Sequence, residues 1–377
     1  MFVTPDFAEL KKAIAAADAF DVQQALAAER IGIKGLAALL SPAAKPYMGV
    51  MAEKSAQITG RRFGRAVQLY APLYLSSFCS NRCVYCGFSA DNQIERRVLT
   101  LAEAEHEATI LHDRGFNHLL LVSGEAPAKM GVAYLEELAL RLRDRFAAIS
   151  IEVQPLRGEE YARLFAAGIT AVAVYQETYD RDVYRQVHLS GKKSDYDHRL
   201  ATPALVAAAG MREVGIGALL GLSDWRAEGL AIGLHLAWLR KHFWRTALTV
   251  SFPRMRPAMG EFTPPLPVSE REMTQLIFAL RIFDPDVGLL LSTREEARYR
   301  DGMLGLGPTR YSAGSCTVPG GYGNRDVTGE QFSVGDHRNI DEVSEVIRQK
   351  GFDPVRKDWD PIFQMHGRRP QSAALVI

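Results

Sequence analysis

Three of the four cysteines in this 377-residue chain stand together, as Cys79-Ser-Asn-Arg-Cys83-Val-Tyr-Cys86. Thiolates at C-x3-C-x2-C spacing can wrap one loop around a face of a cubane iron–sulfur cluster. They ligate three irons and leave the fourth open. An open coordination position is what separates a centre that binds a reactant from a closed structural one. The plainer reading is structural zinc, which wants four ligands at short pairwise spacings, and the fourth cysteine, Cys316, lies far downstream. A ferredoxin run would bring four cysteines at C-x2-C spacings unlike these. The spacing therefore predicts a [4Fe-4S] cluster on Cys79, Cys83 and Cys86.

Such a loop needs a rigid scaffold. Short β-rich runs are expected at Val67–Leu75, His118–Ser123, Ser150–Gln154, Ala171–Gln176, Val214–Leu220, Ala247–Phe252, Val287–Ser292 and Arg310–Ala313. Amphipathic segments alternate with them: Val132–Phe146, Glu159–Ala167, Ala204–Ala209, Arg226–His242, Glu270–Phe283 and Glu295–Leu304. The clearest helix start is Thr100, with Glu103 placed to complete a capping box. Eight strands alternating with helices imply an α/β fold, a closed (β/α)8 barrel of TIM type, with a doubly wound open sheet as the alternative. Residues 1–65 read as an Ala-rich N-terminal helical extension, 66–335 as the barrel, and 336–377 as a C-terminal helix and tail packed on it. Nearly every expected strand ends in polar residues, as a barrel active site at the C-terminal face requires. These include Ser123-Gly124-Glu125, Glu152-Val-Gln154, Gln176-Glu177-Thr178, Ser292-Thr-Arg294-Glu295 and Ser312-Ala-Gly-Ser315.

Composition narrows the function classes. Lys and Arg number 45 against 44 Asp and Glu, so no basic excess points to nucleic acid. The longest apolar stretch, near Val214 to Leu222, falls far short of the roughly 20 residues a spanning helix needs. No signal peptide is evident at the N-terminus, and clustered thiols suit a reducing compartment. A cytoplasmic protein with a small-molecule substrate, neither nucleic-acid-bound nor membrane-bound, is expected.

The cysteine motif, with Tyr85 at its aromatic position, resembles the signature of the radical S-adenosylmethionine (SAM) superfamily. APLYLSSFCSNRCVYCGFS, LLLVSGE, EVQPL, VYQETY, GIGALLGLSD, SFPRMRP, LSTRE, SAGSCTVPGGY and the late KDWD together resemble the 2-iminoacetate synthase family, the tyrosine lyases of thiamine biosynthesis. The likeness runs in order from about residue 30 to the end. It implies that an electron from a flavodoxin-type donor reduces the cluster and SAM is split to methionine and a 5′-deoxyadenosyl radical. That radical takes a hydrogen from the amino group of L-tyrosine, and Cα–Cβ cleavage gives 2-iminoacetate (dehydroglycine) and, after reduction, 4-cresol. Because 2-iminoacetate hydrolyses readily, handover to a thiazole synthase partner is expected.

The resemblance also implies roles. Gly124 and Glu125 match the pair that contacts the SAM amino group, Gln176 and Glu177 the groups on the ribose hydroxyls, and Arg199 the arginine on the SAM carboxylate. Contacts to adenine are implied near Gly217 and Leu220, although an ordinary buried strand would read the same. For the substrate carboxylate the implied residues are Arg294, Ser312 and Ser315, with Arg254 and Arg256 as alternatives or structural groups. Lys192 and Lys193 read as a family loop or as solvated residues, and Cys316 as a packing residue. The competing readings are a tryptophan lyase, or the tyrosine lyase of hydrogenase maturation, against which the lack of cysteines after Cys316 counts. Outside the class stands a zinc-stabilised barrel binding protein.

Overall fold

The computed structural model describes residues 2–260, 262–324, 326 and 328–356; KDWD and the remainder of the expected tail, 357–377, lie outside the described residues. Eight parallel strands form the barrel: β1 (Ala66–Ser76), β2 (His118–Ser123), β3 (Ala148–Glu152), β4 (Ala171–Ala173), β5 (Glu213–Gly217), β6 (Ala247–Ser251), β7 (Gly288–Leu291) and β8 (Arg310–Ser312). They are hydrogen-bonded in chain order, and β8 and β2 both pair with β1, so the ring is closed and the open-sheet alternative is set aside. The expected strand positions agree to within a few residues; several expected ends, such as Ala171–Gln176, were too long because the last residues leave the sheet to build the mouth.

Period-two alternation sends every second side chain inward. Tyr70, Pro72 and Tyr74 of β1, Leu120 and Val122 of β2, and Glu152 of β3 thus line the upper lumen. Tyr70, Leu120 and Tyr175 border both this space and a smaller pocket beneath, making a floor between them. Below it Arg310 closes a fork on Glu213 at 2.6 and 2.9 Å and reaches Gln68 at 2.9 Å. At Gly217 a Cβ would overlap the Ser251 carbonyl oxygen and touch the Tyr175 ring at 3.1 Å, so this inner position of β5 is open for the backbone of β6 and the tyrosine.

The helices follow their start signals. Thr100 Oγ1 accepts from the Glu103 amide at 3.2 Å while the Glu103 carboxylate accepts from the Thr100 amide at 2.7 Å, the expected reciprocal cap of helix Leu101–Asp113. The N-terminal extension is helical (Phe7–Ala15, Ala19–Ala27, Ile33–Leu40, Met48–Phe63) and shares one apolar core with the barrel. Leu36 and Leu40 pack where Gly233 and Gly229 thin the helix Trp225–His242. Gln275 donates to the carbonyls of Leu39 and Ser41 at 2.9 and 3.0 Å.

After the C-terminal helix Ile340–Gln349 comes a strand not foreseen, β9 (Asp353–Val355), paired in parallel with the lower half of β1. Three residues containing a proline carry no strand pattern; β1 is long enough that its lower end, below the start of its pairing with β2, offers a free edge to them. Among the described residues no helix is long and apolar enough to cross a membrane.

The fork beneath the floor gives a stability prediction. Arg310→Leu strands the Glu213 carboxylate in the lumen and lowers unfolding stability by about 3–5 kcal/mol, whereas the double change with Glu213→Leu recovers most of the loss. Denaturant melts of the three proteins measure this; equal stability of the single variant and the parent would contradict it.

Candidate active site

β1 slips register between Tyr74 and Ser76, and this irregularity aims the following segment across the barrel mouth. The cysteine loop is then tied on both sides. Arg82 and Val84 donate amide hydrogens to the carbonyls of Ser190 and Val187, and Leu189 donates back to Arg82. On the other side the Gly87 amide donates to Gln331 at 3.1 Å. Tyr85, between the second and third cysteines, donates its hydroxyl to His188 Nε2 at 2.8 Å; His188 Nδ1 faces the Tyr184 carbonyl at 2.9 Å, which fixes the tautomer. Burial, with Lys193 and Arg199 adding to it, pushes His188 down to about 2, so the imidazole is neutral.

Behind this loop runs a buried chain of charge. Arg199 Nη1 donates to Glu125 Oε1 at 2.8 Å and Arg199 Nε to the Tyr175 carbonyl at 2.6 Å. Asn81, from between the first two cysteines, donates to Glu125 Oε2 at 2.8 Å and accepts from the Lys193 amide at 3.0 Å. The Lys193 ammonium binds Glu177 at 2.6 Å. Burial works against both carboxylates, yet Arg199 and Lys193 hold Glu125 and Glu177 below their ordinary range. Glu177 has φ +69°, the one left-handed non-glycine residue among those described, and this turns its side chain from β4 toward Lys193.

The mouth leads to a cavity, open to solvent, that reaches down the lumen to the tyrosine floor. Tyr85, Cys86, Glu177 and Lys193 form one wall. Arg294, Ser312 and Ser315 lie on the side of β7 and β8. The Arg294 guanidinium stacks 3.3 Å from the Phe332 ring centroid and makes no ion pair among the described residues. Burial lowers its pKa and the facing Tyr74, Glu177 and Glu152 oppose that, so a charged guanidinium stands ready for an anion. Ser315 Oγ is buried with no hydrogen-bond partner, whereas Ser312 Oγ accepts from the Thr293 amide at 2.9 Å.

The sequence-derived candidates thus divide. Tyr85, Cys86, Glu177, Arg294, Ser312 and Ser315 line the cavity. Gly124, Glu125, Gln176 and Arg199 sit behind its wall, and Gln176 Nε2 reaches the Tyr196 carbonyl at 3.4 Å. Glu125 and Arg199, expected on separate groups of one ligand, bind each other. On the fifth strand side the cavity wall is Leu219, while Leu220 is core, its amide bonded to Pro253. Arg254 is held by Glu295 at 2.8 Å, but Arg256 borders the cavity. Asn81 and Phe332 were not singled out from the sequence, and Lys193 and Glu152 were named there only as a loop lysine and a strand-end residue. A lysine beside an exposed lysine and an asparagine in a turn-forming string carry no local mark of burial; only the partners reveal them.

The donor set fits a cluster. Burial pushes the Cys83 and Cys86 thiols up and the neighbouring cysteines raise them further, so the thiols are close enough to resist shared ionisation without a cation among them. No three His, Cys, Asp or Glu side chains converge on a position for one metal ion among the described residues. Thiols that each serve a different iron need no such convergence. At Gly124 a Cβ would overlap the Phe78 carbonyl and touch Cys79 Cβ at 3.1 Å, so the glycine lets the second strand's end lie directly under the first cysteine.

Comparison with known proteins places this geometry in a family. Residues 73–231 match the Radical SAM superfamily and residues 251–353 the Biotin and Thiamin Synthesis associated domain. The chain is 42% identical over 356 residues to 2-iminoacetate synthase of Escherichia coli (strain K12), covering 94% of each protein. Against the enzyme of that name from Salmonella typhimurium the identity is 43% over 343 residues, 91% of each. The X-ray structure of the FeFe-hydrogenase maturase HydG from Carboxydothermus hydrogenoformans superposes with a TM-score of 0.82 at 33% identity, over 92% of this chain and 79% of that one. With a cysteine loop, a closed barrel and near full-length similarity all in agreement, the chain belongs to the 2-iminoacetate synthase family of the radical SAM superfamily.

Proposed function

We infer that this protein is a radical SAM carbon–carbon lyase that cleaves the Cα–Cβ bond of L-tyrosine to 2-iminoacetate and 4-cresol, for thiazole formation in thiamine biosynthesis. SAM is converted to 5′-deoxyadenosine and methionine. The similarity at 42–43% over more than nine-tenths of the chain carries the reading. It is favoured over the hydrogenase-maturation alternative, two solved representatives of which are less similar, at 29% and 33%.

Cys79, Cys83 and Cys86 would hold the [4Fe-4S] cluster. Its open iron, Tyr85, Gly124, Glu125, Gln176, Glu177, Arg199, Gly217 and Leu220 would form the surroundings of SAM. When bound, the cluster and SAM supply the primary carbon radical that starts the reaction. The chain's own residues position and protect. A carboxylate and a guanidinium locked side by side, Glu125 and Arg199, complement an amino-acid head group of opposite pattern. Arg294, with Ser315 and Ser312, takes the tyrosine carboxylate: the guanidinium makes no ion pair among the described residues, and the Ser315 hydroxyl has an unmet hydrogen bond. Pro72, Leu120, Val122 and Leu219 give the lumen apolar walls that exclude water from a reactive carbon centre.

Two partners complete the proposal: a flavodoxin-type donor supplies the electron, and a thiazole synthase receives 2-iminoacetate before it hydrolyses. Joint product capture that is no better than capture from separated proteins would dismiss the second.

Anaerobic incubation of the reconstituted protein with SAM, dithionite and tyrosine tests the activity. Comparable amounts of 5′-deoxyadenosine and 4-cresol are expected; deoxyadenosine formed only with tryptophan would move the protein to the tryptophan lyase reading. Cys83→Ala is expected to lose bound iron after reconstitution and all turnover, and a full iron complement would refute its role. Arg294→Ala should raise the KM for tyrosine roughly 10- to 100-fold, the loss of a charge-assisted contact of ~1.5–3 kcal/mol, with iron content unchanged. An unaltered KM would remove Arg294 from the substrate site.

A further inference from the structure

Glu152, partly buried at the end of β3, differs from the buried carboxylates around it. Glu228 accepts from Tyr179 at 2.9 Å, Glu107 from the amides of Tyr322 and Gly323 at 2.8 and 2.7 Å, and Glu295 from Arg254 at 2.8 Å. Glu177, which shares its cavity, is bound by Lys193. The Glu152 carboxyl makes no hydrogen bond or ion pair among the described residues, although it ends β3 facing the upper lumen. A partly buried carboxyl that faces a cavity with no partner of its own is open to a donor from outside the chain. Burial, and the Glu177 charge, push it up to about 7, consistent with a site that lacks a donor of its own.

The barrel supplies the direction. In the closed ring, β3 lies opposite β7, which delivers Arg294, and one strand from that opposition is β8, which delivers Ser312. A tyrosine held by its carboxylate on the β7–β8 side therefore extends its side chain across the lumen toward β3. Between the two ends stand Tyr74, Leu120, Val122 and Tyr175, flat or apolar surfaces suited to an aromatic ring. Glu152 shares the cavity lining with the phenols of Tyr70, Tyr74 and Tyr175.

We propose that Glu152 accepts the phenol O–H of the substrate and so determines the preference for tyrosine over phenylalanine. The inference rests on the reading of Arg294 as the carboxylate anchor. Phenylalanine would fill the same space, cover the carboxyl and leave it without a donor, which is how a site built for a hydroxyl rejects the analogue without one.

The test is equilibrium binding of tyrosine and of phenylalanine to the anaerobically reconstituted protein with SAM, for the parent, Glu152→Ala, Glu152→Gln and Arg294→Ala. Glu152→Ala should weaken tyrosine roughly 10- to 100-fold and leave phenylalanine unchanged or tighter. Glu152→Gln, whose amide oxygen still accepts, should keep part of the preference, and Arg294→Ala should weaken both ligands alike. Equal weakening of both by Glu152→Ala would put the carboxyl at the amino group and overturn the proposal, as would no change in either. A parent protein that prefers neither amino acid would overturn the lyase reading itself, and Glu152's role with it. Melting temperature is an independent check: with no partner to lose, Glu152→Ala should melt at or above the parent, and a marked fall would show a structural role instead.

Discussion

Everything at the mouth of this barrel depends on one buried run of paired charges, Glu125–Arg199 and Glu177–Lys193, bridged by Asn81. Asn81 belongs to the cysteine loop, Glu125 follows β2, Glu177 follows β4, and Lys193 and Arg199 come from the segment between β4 and β5. Paired charges in a low-dielectric setting tolerate little displacement, because separating them leaves each desolvated and unmatched. The loop that presents the thiols is thereby referenced to three separate parts of the barrel. Backbone pairing of the loop with Val187 to Ser190 restrains it further.

From that fixed mouth the chemistry is laid out along the lumen. Cys86 and paired charges occupy the upper wall, the Arg294 guanidinium one side, and the Glu152 carboxyl the opposite side, the last two without ion pairs among the described residues. Polar groups already satisfied within the chain position loops, while those left unsatisfied face the space a reactant would enter. Ser315, Arg294 and Glu152 are of the second kind. The tyrosine floor seals this space from the Glu213–Arg310 fork below, so stability and reactivity occupy different levels of one barrel, as the fold commonly arranges.

Much of the scaffold was legible in the sequence because its signals are local. Thr100 with Glu103 and the alternating runs before each polar motif state their structure within a few residues. Cys79, Cys83 and Cys86 declare themselves by spacing alone. What could not be read depends on distant partners. Lys193 looks like a solvated residue until Glu177, turned by its left-handed backbone, is found against it. Leu219 and Leu220 differ in role only through where β5 ends, a boundary that hydrophobicity does not mark. Glu152 reads as one of several charged residues at a strand end; its lack of a partner among the described residues is a property of the whole lumen.

The central claim is that tyrosine lies across the lumen with its head on the β7–β8 side and its ring toward β3. An anaerobic crystal structure of the reconstituted protein with SAM and tyrosine tests it most directly. The account predicts the tyrosine carboxylate on Arg294 and the phenol oxygen beside Glu152. Tyrosine bound with its carboxylate at Arg256, or with its ring directed away from β3, would contradict it.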